Sequence, residues 1–208
     1  MRKFPLLIST ILIATASFTF TSCTKDKTPE PQEQSTNEIE VKTVISLEAQ
    51  NKVYMNISTG AYIPEAEINA TNWDISFYAK DRNITVAVNS GNEGSGNAGA
   101  IIVETSFDEL KNAPETGYLE GQEAIGNYLN WSSYTGSTTS PKHAVLPKPG
   151  LSIVIKTADN KYAKIQMLSL YQGNPNTTTP EFSDLATRPE FGYFSFRYAT
   201  QTDGSRNF

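Results

Sequence analysis

The sequence predicts an all-β domain, an antiparallel sandwich or half-open sheet with hairpin fingers and one short helix. Three observations carry this expectation. Residues 151–171 read as a single hairpin, with Leu151, Ile153 and Ile155 alternating against Ser152, Val154 and Lys156, the two-residue period of a strand. Several further short runs rich in β-branched and aromatic residues are separated by turn signals. The stretch 191–199 (FGYFSFRYA) is an aromatic closing strand, with Phe194, Phe196 and Tyr198 on one parity.

Residues 1–22 stand apart from this domain. Arg2 and Lys3 form a positive start, and no charge interrupts the stretch from Phe4 to Phe20. This is the pattern of a signal peptide, too short for a comfortable membrane span. It ends at Thr21-Ser22-Cys23, where small polar residues precede the chain's one cysteine. The arrangement resembles a bacterial lipobox, so Cys23 is the expected lipid-attachment site. Several acyl chains on one residue anchor stably where a single chain binds only marginally. With Cys23 acylated no thiol is left for a disulfide, a thiolate metal site or a nucleophile.

Residues 23–38 are the expected disordered tether. The segment after the cysteine, TKDKTPEPQEQSTNE, is polar and proline-bearing and lacks large apolar side chains, so it cannot bury enough surface to offset its chain entropy. Lysines and acidic residues directly after the cysteine resemble signals that send lipoproteins of Bacteroidota to the outer face of the outer membrane. Residues 39–208 then form one β domain. Removing Arg2 and Lys3 leaves 15 basic against 22 acidic side chains, a net charge of −7. No basic patch suggests nucleic acid.

Within the domain, Val41, Val44 and Ile45 mark a first strand and residues 52–58 a second. Residues 72–79 (NWDISFYA) and 83–89 (NITVAVN) follow, with Trp73 expected on an inward face and Asp74 as a buried, hydrogen-bonded carboxylate. Residues 90–99 (SGNEGSGNAG) read as a flexible glycine loop. They lead into a strand, not into the Lys-Ser/Thr and helix that a phosphate cradle requires. Ser106 and Glu109 have capping-box spacing, which predicts a short helix over 107–112 ahead of Pro114. In the main hairpin Asp159 and Asn160 supply the turn, and Ala163, Ile165 and Met167 share one face of the return strand. Leu168 and Leu170 bring apolar side chains to its second face, so that end is expected to be covered on both sides. Residues 172–189 read as a long loop.

Few residues suggest chemistry. No nucleophile stands beside a base and no carboxylates are paired at a telling spacing, so the chain is not read as an enzyme. His143, in Ser140-Pro141-Lys142-His143-Ala144, is the one histidine. An imidazole on a loop suits either a metal or heme ligand or a solvated surface position. Met55 and Met167 offer thioethers, which serve as iron ligands or as core packing.

The run from Asn72 to Phe77, Asn97-Ala98-Gly99-Ala100, Pro114-Glu115-Thr116-Gly117-Tyr118, the hairpin run from Ala158 to Gln166 and the closing run from Gly192 to Tyr198, together with the lipobox, resemble the HmuY-type heme-binding lipoproteins of Bacteroidota. The resemblance spans most of residues 40–200. It implies an all-β HmuY-like fold and an outer-membrane lipoprotein displayed at the cell surface for iron acquisition. It also implies heme as cofactor and transfer to an outer-membrane receptor of the TonB-dependent type. Heme iron would be the metal, held through His143 or a methionine, Met55 or Met167. Trp131, Tyr128 and Tyr134 would wall the heme, and Lys142 or Lys148 would meet its carboxylates. The best-known member of the family uses two histidines on separate loops, a set this chain does not have. The alternative is a non-heme surface module on the same fold that binds a glycan or a protein.

Overall fold

The computed structural model describes residues 39–208 apart from Arg82. The signal peptide, Cys23 and the tether lie outside these residues. In chain order the strands are β1 (Val41–Glu48), β2 (Val53–Asn56), β3 (Ala61–Ile63), β4 (Ile75–Lys80), β5 (Asn83–Val88), β6 (Gly99–Val103), β7 (Ser132–Tyr134), β8 (Val145–Pro147), β9 (Ser152–Lys156), β10 (Tyr162–Tyr171) and β11 (Phe191–Gln201). One α-helical turn, α1 (Pro180–Ser183), precedes β11.

The strands form a five-stranded sheet ordered β1-β11-β10-β9-β6, a four-stranded sheet ordered β3-β2-β4-β5, and the separate pair β7-β8. All the pairings are antiparallel. The β9–β10 hairpin sits where the alternation places it, with Ala163 opposite Ile155 and Ile165 opposite Ile153. Asn160 takes the left-handed backbone of the turn, at φ 62°, which asparagine tolerates better than most residues.

Most of the buried apolar side chains share one core, while Val154 of β9 packs with Leu110 and Ala113 in a second, smaller cluster. Phe77 of β4 stacks on Phe196 of β11, with centroids 4.9 Å apart and rings 18° from parallel. It also meets Phe194 of β11 at 5.2 Å. Such pairs add roughly 0.5–1.5 kcal/mol beyond the area they bury. Ile165 is fully buried in the shared core, as are Ile75 and Ile155.

The register along β10 adds a detail, and several other expectations need correction. The pairing of β10 with β11 shifts between Met167 and Ser169 and again before Tyr171. Leu170 joins Met167 in the same core across a bulge, and Ser169 and Tyr171 on either side of it are buried as well, so this end of β10 is covered on both sides as expected.

The helix expected over 107–112 is a single turn. Ser106 Oγ does reach Glu109 Oε2 at 2.6 Å, and Leu110 N–H bonds the Ser106 carbonyl. Instead of later amides, the carbonyls of Phe107 and Leu110 accept from the Lys164 ammonium, at 2.8 and 2.9 Å. The chain then leaves into a bridge between Asn112 and Asn207. The α-helical turn lies instead in the stretch read as loop, where Thr179 Oγ1 accepts Phe182 N–H and Pro180 opens the turn.

The glycine loop is fastened rather than loose. Asn89 Nδ2 donates to the carbonyls of Asn69, Ala70 and Trp73, while its Oδ1 accepts Gly96 N–H at 3.0 Å. Trp73 is buried, yet it precedes β4 and lies outside the intersheet cluster. Its ring meets Tyr54 edge-on at 5.0 Å, and Gly94 covers it so closely that a Cβ there would sit 2.7 Å from Cζ2.

Candidate functional site

A cavity of about 540 Å³ opens beside the β7–β8 hairpin, within the ordinary range for small-molecule sites. One wall is the hairpin tip. Its base is anchored in the core by Ala144 and Val145 and by Trp131, whose ring lies 6.4 Å from that of Phe194. The connecting loop is held by its own polar groups. Thr135 Oγ1 donates to the Pro141 carbonyl at 2.5 Å and accepts Ala144 N–H at 2.9 Å. His143 N–H bonds the Gly136 carbonyl at 2.7 Å, and His143 itself takes a left-handed backbone, φ 54°.

This geometry sets two exposed side chains side by side at the cavity mouth. The Tyr134 hydroxyl lies 2.5 Å from His143 Nδ1, and both residues line the cavity. Tyr134 keeps 49% of its surface open to solvent.

The facing wall comes from the end of β10, α1 and the start of β11. Tyr171 sits between Phe182 and Phe191, edge-on to each at 4.8 and 5.6 Å. Its hydroxyl accepts Val145 N–H at 3.1 Å, and burial pushes the phenol up from its ordinary value. Arg188 joins the two walls. Nε donates to the Phe182 carbonyl at 2.7 Å and Nη1 to the His143 carbonyl at 3.2 Å. The guanidinium also lies over the Phe182 ring at 4.8 Å. Its Nη2 is buried and makes no hydrogen bond, and the guanidinium charge partly offsets the burial that pushes the Tyr171 phenol up. A second tie, Ser140 Oγ to Ser183 Oγ at 3.3 Å, runs parallel to the Arg188 bridge.

Of the residues singled out in the sequence, His143, Tyr134 and Tyr128 meet at this cavity. Trp131 does not wall it, because its ring is buried against β11. Met55 and Met167 are also buried in the core cluster, and neither lines the cavity. Packing encloses both sulfurs. Lys148 is committed elsewhere, since its ammonium donates to the carbonyls of Leu129 and Asn130. Lys142 is exposed and is not part of the lining. The cation in the wall is Arg188, which sequence reasoning passed over. Its one signal was being the single basic residue of the 172–189 stretch. Asp74, as expected, is a buried structural carboxylate. Among the described residues no three His, Cys, Asp or Glu side chains group to hold a bare metal ion.

The two antiparallel sheets and the separate β7–β8 pair define an all-β protein with a cavity beside that pair. Residues 48–183 match the HmuY protein family, and the chain belongs to that family. No curated protein matches it. Solved structures with a similar arrangement include the apo HmuY analog of Tannerella forsythia, 17% identical, covering 79% of this chain and 96% of that one with a TM-score of 0.48. Apo PinO from Porphyromonas gingivitis is 12% identical over 78% and 99%, with a TM-score of 0.48. An HmuY-like protein of Bacteroides vulgatus, to which heme binding is ascribed, is 12% identical over 76% and 89%, with a TM-score of 0.45.

Proposed function

We propose that the protein is a lipid-anchored outer-membrane lipoprotein that binds heme in the cavity beside the β7–β8 hairpin and passes it to an outer-membrane uptake receptor. The observation that carries the reading is the Tyr134–His143 pair at the mouth of an aromatic cavity. Heme is a flat, largely apolar ring with two carboxylates and an iron that accepts axial donors. Tyr128, Tyr171 and Phe191 supply flat apolar wall, and Tyr134 and His143 supply donor atoms. The donor set therefore fits the group. When bound, heme would supply the iron, while the protein's residues orient the ring, shield its faces and hold the donor. Anchoring through Cys23 would keep the carrier at the membrane beside its receptor.

The direct test is a heme titration followed by the Soret band. Micromolar heme should shift the band with the wild type and fail to do so with the double variant Tyr134→Phe/His143→Ala. With one histidine in the chain, the bound spectrum should not be that of a bis-imidazole complex. No Soret change in either iron redox state would remove heme and leave the non-heme surface module.

A further inference from the structure

Building on the heme reading, we infer that Tyr134 is the axial ligand, through its phenolate oxygen, and that His143 is the base that receives its proton. The 2.5 Å separation between the Tyr134 hydroxyl and His143 Nδ1 is at the short end for a hydroxyl donor. A phenol has one proton to give, and Nδ1 is the ring atom that faces it. In the tautomer this assignment takes, Nδ1 accepts from the Tyr134 hydroxyl and the neutral imidazole carries its own proton on Nε2. A protonated ring nitrogen has no lone pair for a metal, whereas the hydroxyl oxygen keeps its lone pairs. The pair thus presents oxygen, not nitrogen, as its free donor.

The proton balance is simple. As the Tyr134 oxygen bonds to a ferric porphyrin, its O–H bond breaks and the proton passes to His143 Nδ1. No electron changes hands, and the imidazole becomes imidazolium.

The backbone assigns the two roles in the same way. His143 is fastened on both sides of its peptide unit, its N–H to the Gly136 carbonyl and its carbonyl to Arg188. That fixing suits a positioning base. Tyr134 lies opposite Val145 in the hairpin register and is half exposed, so its hydroxyl is open to an incoming planar ligand. The facing wall carries one charge of each sign, Arg188 and Glu190, with Arg188 bonded to the His143 carbonyl. A hard, anionic oxygen prefers ferric to ferrous iron. The site is therefore selective for oxidised heme, a preference that neither imidazole nor thioether ligation would impose as strongly.

The test uses the full chain with ferric heme, ferrous heme and gallium(III) protoporphyrin, whose metal is hard and has no redox partner under these conditions. The wild type should bind the two trivalent porphyrins alike and ferrous heme at least about tenfold more weakly. Resonance Raman spectra of the ferric complex should show the ring modes of an iron-bound phenolate. Tyr134→Phe removes one hydroxyl from a half-exposed residue, so the fold is retained. It should abolish those modes and lower ferric affinity by about tenfold or more, roughly 1.4 kcal/mol. His143→Ala should keep the phenolate modes with weakened binding. Phenolate modes absent from the wild type, or Tyr134→Phe binding ferric heme unchanged while His143→Ala fails, would overturn the assignment in favour of imidazole. A wild type that binds none of the three porphyrins would instead remove the heme reading itself.

Discussion

Asp74 Oδ1 accepts the backbone N–H of Ala158 at 2.8 Å, joining the smaller sheet to the hairpin turn of the larger one. Its Oδ2 accepts Ile57 N–H at 2.9 Å. One buried carboxylate therefore holds two loops that no strand pairing connects. Burial pushes its carboxyl above the usual range, and the two N–H groups pull it back without cancelling that effect.

Asp74→Ala leaves two buried N–H donors without partners, each costing about 1–3 kcal/mol. Urea denaturation should show a loss of roughly 2–6 kcal/mol, and an unchanged midpoint would mean the two loops are held by other contacts.

The same residue gives a pH dependence. Its folded pKa is raised, so the folded state binds more protons than the unfolded chain between the ordinary value, about 4, and the raised one. The stability that the raised pKa contributes is present in full below that window and is lost as pH rises through it, while the hydrogen bonds to Ile57 and Ala158 persist above it. Subtracting the stability curve of Asp74→Asn from that of the wild type should leave a difference that falls with rising pH. A flat difference would mean that the carboxyl is not perturbed.

Trp73 and Gly94 should behave as one unit. Trp73→Ala empties a buried aromatic site and should cost about 3–5 kcal/mol. Gly94→Ala places a methyl group against both the indole and the Asn89 amide oxygen. It should destabilise the domain by a comparable mechanism, crowding instead of a void. Thermal melts check both, and a Tm unchanged in Gly94→Ala would show that the loop is free to move away.

Met55→Leu and Met167→Leu preserve volume in the core and should each cost less than about 1.5 kcal/mol. Because both thioethers are enclosed, the heme spectrum should be the same in either variant as in the wild type. A changed axial signature in one of them would restore that methionine as a ligand.

Cys23→Ser should release the protein from the membrane fraction and abolish incorporation of a labelled diacylglycerol. The circular dichroism of the domain should not change. A serine variant that still carries the label would refute lipidation at this position.

Much of the sandwich was legible because its signals are local. Alternation along 151–167 placed Ile153, Ile155, Ala163 and Ile165 on the buried face, and the parity of Phe194, Phe196 and Tyr198 identified the inward side of β11. The bulge after Met167 was not legible, since its register depends on a partner strand more than twenty residues away. The Ser106–Glu109 signal was genuine, but a distant lysine took the carbonyls a helix would have used. The site divides along the same line. His143 and Tyr134 were each visible as unusual residues, but their pairing depends on how a ten-residue connection closes. Arg188 gave only the weak signal of a lone basic residue, because its partner across the cavity, the His143 carbonyl, is brought to it by tertiary folding.

The β7–β8 pair belongs to neither of the larger sheets, and this has an evolutionary consequence. Donor atoms at its tip can be exchanged by changing a few loop residues, with no strand of the sandwich required to re-register. Side chains at the tip can therefore change while the strand register of the two larger sheets is kept. Identity at the tip is then a poor guide to shared ancestry, and identity in the core a poor guide to shared ligand.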